Sequence, residues 1–300
     1  MKILILGSEG FIGRNCVKYY LQKGWDVYGC DLVDYNTGSY NYIKISRLNP
    51  DFDTLFSSIK YDACINAAGN GSVPASITNP VNDFDANCLD VIKILELLRL
   101  KNNQCKYLHI SSAAVYGNPQ KLPITEESAL LPLSPYGWHK LISETLCKEY
   151  YQLYRLPVVI VRPFSVYGPG LRKQIFWDLY QKCNSGVQEL TLWGTGLESR
   201  DFIYIDDLIS AIYIILERSP MKADVYNLAN GSEATIADAS RIFINNFDSR
   251  LSIQFNNKQR EGDPTNWIAD INKLKSVGYN SEYTFAEGIK ITTEWLRDLP

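Results

Sequence analysis

The chain has 300 residues, enough for one large α/β unit or a large domain carrying a smaller lobe. Its hydrophobic fraction of 46% and charged fraction of 21% are those of an ordinary globular protein. A net charge of −3 leaves no electrostatic footprint for nucleic acid or an anionic membrane. No apolar run approaches the ~20 residues of a bilayer span, and the N-terminal run is too short for a signal peptide, so a cytoplasmic location is expected. The seven cysteines are odd in number, include no C-x-x-C pair and read as buried free thiols. With His109 and His139 the only histidines, no metal site is expected.

Lys2-Ile3-Leu4-Ile5-Leu6 is an apolar run suited to a buried parallel strand. It leads into Gly7-Ser8-Glu9-Gly10-Phe11-Ile12-Gly13, a G-x-x-G-x-x-G turn, and then a helical stretch to about Lys23. Trp25 to Cys30 reads as a second strand ending at Asp31, which lies 24 positions after Gly7. A dinucleotide fingerprint has its acidic residue at a spacing of about 20. Gly7 can take the tight turn, Gly10 lets the backbone approach a pyrophosphate, and Gly13 lets the helix lie close to the sheet. The helix N-terminus adds free N–H groups and partial positive charge. Asp31 stands where a carboxylate accepts the adenosine ribose hydroxyls and would repel a 2′-phosphate, which predicts NAD(H). Arg14, beside Gly13, could instead meet that phosphate and leaves NADP(H) open.

Asp62 to Asn66 reads as another buried strand, opening into Ala67-Ala68-Gly69. From about Asn79 through Leu100 the periodicity is helical, with Val91, Ile94, Leu95 and Leu98 on one face. Tyr107 to Ile110 is the next strand, ending at Ser111-Ser112, and a helix runs from near Ser134 to Tyr154. Pro157 to Val161 is a further strand, stopped by Arg162-Pro163. This alternation predicts an α/β fold, a Rossmann-type doubly wound parallel sheet with ligands beyond the carboxyl ends of its strands. After about residue 168 the alternation breaks at Gly168-Pro169-Gly170 and Gly194-Thr195-Gly196. Residues 1–168 are expected to be mainly the dinucleotide-binding domain. Residues 169–300 are expected to be mainly a smaller α/β substrate lobe, with about 202–230 returning to the first domain.

Three Y-x-x-x-K pairs occur: Tyr19/Lys23, Tyr40/Lys44 and Tyr136/Lys140. The first lies on the helix after the glycine turn, where packing explains it, and the second in a segment that reads as irregular. Only Tyr136 follows a strand ending in hydroxyl residues, Ser111-Ser112-Ala113-Ala114-Val115-Tyr116-Gly117. Hydride transfer between a sugar carbon and nicotinamide needs a matching proton transfer at the carbinol oxygen. A phenol supplies it near neutral pH when an ammonium lowers its pKa, which assigns Tyr136 and Lys140. Lys140 would also hold the nicotinamide ribose. Ser112 would orient the reacting oxygen, the plainer reading being a strand-end cap.

With these motifs stand Arg162-Pro163-Phe164-Ser165-Val166-Tyr167-Gly168-Pro169-Gly170, Gly194-x-Gly196-x-x-x-Arg200-Asp201-Phe202 and Arg260-Glu261-Gly262-Asp263. Over essentially its whole length the chain resembles an extended short-chain dehydrogenase/reductase of the nucleotide-sugar epimerase/dehydratase family. The resemblance implies Ser112, Tyr136 and Lys140 as the catalytic set, and a cofactor site formed by Gly7, Gly10, Phe11, Ile12, Gly13, Asp31, Ala67, Ala68, Lys140 and Pro163. It implies a nucleoside-diphosphate-sugar substrate held by Ser72, Ser112, Ser165, Arg200 and Arg260. Arg200 and Arg260 match positions that grip the diphosphate, the plainer alternative being surface pairing with Asp201 or Asp263. The resemblance also suggests a homodimer formed by the helices at Asn79–Leu100 and Leu141–Tyr154.

Departures from the family pattern refine the reaction. Where 4,6-dehydratases carry Asp-Glu after the catalytic hydroxyl residue, this chain has Ala113-Ala114, which transfer no proton, so dehydration is not expected. Ser46 stands where an Asp often holds adenine, and Asn66 replaces the usual His of His-x-Ala-Ala. The loss of an adenine anchor and the compact lobe tip the expectation slightly towards a 4-keto-6-deoxy-sugar nucleotide reductase. A nucleotide-sugar 4-epimerase is the alternative, favoured by Asp31 and by Val73-x-x-Ser76. A non-catalytic nucleotide-binding scaffold is the remote one.

Overall fold

The computed structural model describes residues 1–34, 38–47, 50–248, 250–258 and 264–299. In the first half the elements are β1 (Lys2–Leu6), α1 (Phe11–Gln22), β2 (Asp26–Asp31), β3 (Asn41–Lys44), α2 (Asp53–Ser57) and β4 (Ala63–Asn66). There follow α3 (Val73–Thr78), α4 (Pro80–Phe84), α5 (Asp90–Lys101), β5 (Lys106–Ile110), α6 (Pro135–Tyr154) and β6 (Val158–Pro163). Six of these strands, with one from the second half, form a seven-stranded sheet, every neighbouring pair parallel. Strand order reverses between β1 and β4, which opens the crevice at their carboxyl ends.

Both faces of the sheet are covered, so successive residues of one strand enter different cores. Ile3 and Ile5 pack in one cluster, Leu4 and Leu6 in the other. That explains unbroken apolar strands in place of an alternating pattern. The helix expected over Asn79–Leu100 is divided: a π-helical turn at Asp85–Leu89 separates α4 from α5. Val91, Ile94, Leu95 and Leu98 are buried as the periodicity predicts. The Tyr40/Lys44 segment, read as irregular, contains the edge strand β3. The strand at Val158 is not stopped by Arg162-Pro163 but runs through both. Arg162 is 1% exposed and its charge is met inside by Glu144 at 2.6 Å, so it need not end the strand.

The second half contains β7 (Ser165–Tyr167), α7 (Gln174–Cys183), β8 (Glu189–Leu192), β9 (Ser199–Tyr204), α8 (Ile205–Arg218) and β10 (Lys222–Leu228). It closes with β11 (Glu233–Thr235), α9 (Ile236–Phe247), β12 (Ser252–Phe255), α10 (Asn272–Ser276) and α11 (Phe285–Arg297). β10 adds to the large sheet beside β6, while β11-β9-β7 and β12-β8 form two small sheets. All seven cysteines are free, and six are buried. Among the described residues no helix is long and apolar enough to cross a membrane, and no group of acidic, His or Cys side chains is arranged to hold a metal.

Candidate active site

The glycine turn is shaped by contacts that leave no room for side chains. Gly7 has φ +74°, and a Cβ on it would stand 2.8 Å from the Ala68 backbone. A Cβ on Gly13 would stand 2.0 Å from the Gly7 carbonyl oxygen, so α1 closes on β1 only because that position is glycine. Gly10 is the extended N-cap of α1, with Phe11 and Ile12 opening the helix. Gly7, Gly10, Asp31, Ala67 and Ala68 line one cavity of about 480 Å3 along the strand ends.

The acidic end of this cavity is well defined. Asp31 accepts the Glu9 N–H at 2.9 Å and its own neighbour Leu32 N–H at 2.6 Å. Arg14 Nε is paired with Glu9 at 3.0 Å, and the Tyr40 hydroxyl donates to the other Glu9 oxygen at 2.7 Å. Arg14 is therefore engaged by a carboxylate, and the charge beside the ribose end is acidic. At the far wall Arg47 pairs with Asp90 at 2.8 Å, both lining the cavity. That ion pair sits where the Ser46 substitution suggested a loosely held adenine. Deeper in, Asn87 Oδ1 is a buried acceptor with no protein partner, directed at Gly69. Glycines with no room for a Cβ, an acidic ribose end and an unpaired buried acceptor fit a bound dinucleotide.

The three residues read from the sequence as a catalytic set lie at the turn after β5 and on the first turns of α6. Ser134 caps α6, accepting the Gly137 N–H at 3.2 Å, and Pro135 opens the helix, which places Tyr136 in its first turn. The backbone N–H of Tyr136 is bound by Ser76 Oγ at 3.1 Å, so α3 fixes the start of α6. Ser112 caps the short 3-10 turn Ala113–Tyr116, accepting the Ala114 N–H at 3.1 Å, and its hydroxyl acts on the Tyr136 phenol, lowering its pKa. Lys140 lies one turn on, its Nζ 5.9 Å from the Tyr136 ring centroid and 2.9 Å from the Ile110 carbonyl oxygen.

The electrostatics differ from the expectation. Burial raises the Tyr136 pKa; Ser112 opposes that and Asp83 adds to it. Lys140 itself is brought down to about 8 by burial, against the pull of Asp83. Taking an ammonium into the interior disfavours its charged form more than the neighbouring phenol can repay.

The remaining assignments divide. Pro163 ends β6, buried, and Ser165 begins β7. The Ser72 side chain is used as the cap of α3, accepting the Ala75 N–H at 3.3 Å. Arg200 lies on β9, donating to the carbonyl oxygens of Ser199 at 2.8 Å and Thr265 at 3.2 Å, with its guanidinium 5.9 Å from the Trp267 ring. Asp201 is held by the backbone N–H groups of Asn230, Gly231 and Ala269. Arg260 lies outside the described residues. Sequence reasoning missed Arg47, Asn70, Asp83, Asn87 and His139. The signal was present: counted back from Val91, the buried face of the Asn79–Leu100 segment reaches Asn87 and Asp83, polar residues where apolar ones belong.

The model of the NAD dependent epimerase/dehydratase family matches residues 3–229. The UDP-glucose 4-epimerase of Lactobacillus helveticus is 29% identical, the match covering 98% of this chain and 96% of that protein. The UDP-glucuronate 4-epimerase of Thermodesulfobacterium geofontis is 28% identical with the same coverage. Among solved structures, UDP-glucuronic acid 4-epimerase from Bacillus cereus, in complex with UDP-glucuronic acid and NAD, superposes with a TM-score of 0.89 at 27% identity, over 99% of both chains. With a seven-stranded parallel sheet, a side-chain-free glycine crevice and a match over most of its length, this chain belongs to the NAD-dependent epimerase/dehydratase family.

Proposed function

We propose that this protein is an NAD-dependent 4-epimerase of UDP-linked hexoses or hexuronates. The observation that carries the reading is the Ser112–Tyr136–Lys140 constellation where α6 starts beside the turn after β5, in a chain whose full-length relatives are named as 4-epimerases. Tyr136 takes the proton from the C4 hydroxyl and returns it, while Ser112 orients that oxygen. Lys140 would hold the ribose hydroxyls of the cofactor. Bound nicotinamide supplies a reversible hydride acceptor for C4. Arg200, and Arg260 with it, binds the diphosphate, with residues after 168 forming most of the substrate lobe. Ala113 and Ala114 give the site no acid or base for water loss.

The reductase reading is less well supported. It rested on a weakly held adenine and a compact lobe, and the Arg47–Asp90 pair lines the cavity at that end, which suits a cofactor retained through many turnovers. Asp31 with the Glu9–Arg14 pair favours NAD(H) over NADP(H). An apolar strip of Val81, Phe84, Leu89, Trp138 and Ile142, exposed on α4 to α6, supports a homodimer.

The test is to incubate the protein with UDP-glucose, UDP-glucuronate and UDP-N-acetylglucosamine and resolve the C4 epimers by NMR. Interconversion without net change in NADH absorbance is expected. Stoichiometric NADH oxidation by a 4-keto sugar nucleotide, with no epimer formed, would replace the proposal with a reductase. Silence across the panel would point to a scaffold.

A further inference from the structure

The face of α4 and the π turn that looks into the protein carries a charge. Asp83 is 1% exposed and its carboxylate takes three donors. His139 Nδ1–H donates to Oδ2 at 2.5 Å, and the side-chain amides of Asn70 and Asn87 donate to Oδ1 at 2.7 and 3.2 Å. The Asn87 amide also reaches the Asn70 carbonyl oxygen at 3.2 Å. The cluster thus joins the loop after β4, the π turn and α6, and its member on α6 directly precedes Lys140. π turns inside helices frequently mark functional sites. A buried carboxylate satisfied by three donors is held at one place rather than free to swing.

We propose that the Asp83–His139 pair positions the catalytic dyad, with Asp83 as the fixed counter-charge that sets the protonation of Lys140 and Tyr136 together. The proposal rests on the 4-epimerase reading of the site. His139 ties the charge to the helix that carries both residues, and Asn70 ties it to the loop along the cofactor cavity.

Of the groups that raise Lys140, Asp83 acts most strongly, ahead of Cys88, Cys147 and Glu144. From the π turn comes Cys88, whose thiol burial pushes up to about 12. On α6 itself stand Cys147, also raised by burial, and Glu144, which is spent on Arg162 at 2.6 Å. From β5 comes His109, held neutral by burial. On the Tyr136 phenol Asp83 acts to raise the pKa and Ser112 to lower it, while Lys140 Nζ stands 5.9 Å from the ring centroid. An anion raises the pKa of an ammonium and of a phenol alike. Asp83 therefore displaces both titrations to higher pH.

The experiment compares kcat/KM against pH for wild type, Asp83→Asn and His139→Gln. Asparagine keeps the shape and an acceptor but removes the charge, and both limbs are expected to move acidic by about one pH unit, the size of shift one nearby charge produces. His139→Gln keeps a donor and the Asp83 charge, so the limbs stay while the rate falls. Limbs that stay in place in Asp83→Asn overturn the proposal, whatever the rate does. Should that variant not fold, Asp83→Asn with His139→Leu removes the charge together with its partner and is read the same way. A tyrosinate absorbance titration, taken as the difference from Tyr136→Phe, needs no sugar nucleotide. An acidic shift of that difference in Asp83→Asn sustains the proposal even if no epimer forms, which separates its failure from that of the 4-epimerase reading.

Discussion

Lys140 Nζ donates to the carbonyl oxygen of Ile110 across 2.9 Å, so the last residue of β5 steadies the ammonium that α6 delivers. Burial brings this group down to about 8. The sign follows directly: the ammonium is charged below that value and is lost as pH rises through it. If Lys140 holds the cofactor ribose as a cation, kcat/KM declines on the alkaline side with a midpoint near pH 8. Lys140→Arg, which stays charged, should lower the rate and abolish that limb. A wild-type profile that stays level well above this pH would remove the ammonium from the mechanism.

Tyr136→Phe tests the proton transfer itself. The ring remains to pack at the start of α6, while the hydroxyl on which Ser112 acts is gone. A positioned acid–base group contributes about 10²–10⁴-fold, so kcat should fall by that factor with NAD still bound after gel filtration. Wild-type turnover in the variant would mean that another group moves the proton.

Beneath the site, Arg162 and Glu144 form a buried pair, with side chains 1% and 0% exposed. Arg162 Nε and one amino group reach both Glu144 oxygens at 2.9 and 2.6 Å, while Ser111 donates to Glu144 at 2.6 Å. Ser111 adjoins the proposed catalytic Ser112. Arg162→Met strands the carboxylate inside, where breaking such a pair costs about 3–5 kcal/mol. Urea denaturation should show a loss of that size, with the double variant Arg162→Met/Glu144→Leu recovering much of it. A single-variant loss below about 1 kcal/mol, the scale of an exposed pair, would refute the structural role.

The parallel sheet was legible in the sequence because its strands are continuous apolar runs bounded by glycine and hydroxyl residues. The crevice was legible because Gly7 and Gly13 admit no other side chain at their close contacts. The start of α6, and with it Tyr136 and Lys140, was marked by the Ser134-Pro135 cap. The Asp83 cluster escaped because its partners His139, Asn70 and Asn87 come from three separate segments, and no local pattern records a contact made by tertiary folding. The extension of β6 through Arg162 was hidden for a related reason, since only the fold supplies Glu144. The direction of the Tyr136 shift was misread because spacing along a helix gives proximity to Lys140 but not depth of burial, and burial dominates there.

The proposed homodimer rests on side chains left exposed on α4 to α6. Val81 is 67% exposed, Trp138 50% and Ile142 38%, although other apolar residues of the same helices are buried. An apolar strip spread over neighbouring helices is suited to a second copy by two-fold packing. Val81→Glu with Ile142→Glu places carboxylates in that strip without touching the Phe84–His139 ring contact. Sedimentation velocity at micromolar concentration should give a dimer for wild type and a monomer for the double variant, with unchanged far-ultraviolet circular dichroism. If both proteins sediment as monomers, the strip does not pair copies of this chain. If both remain dimers, the contact lies on another face, and these helices serve only to cover the sheet.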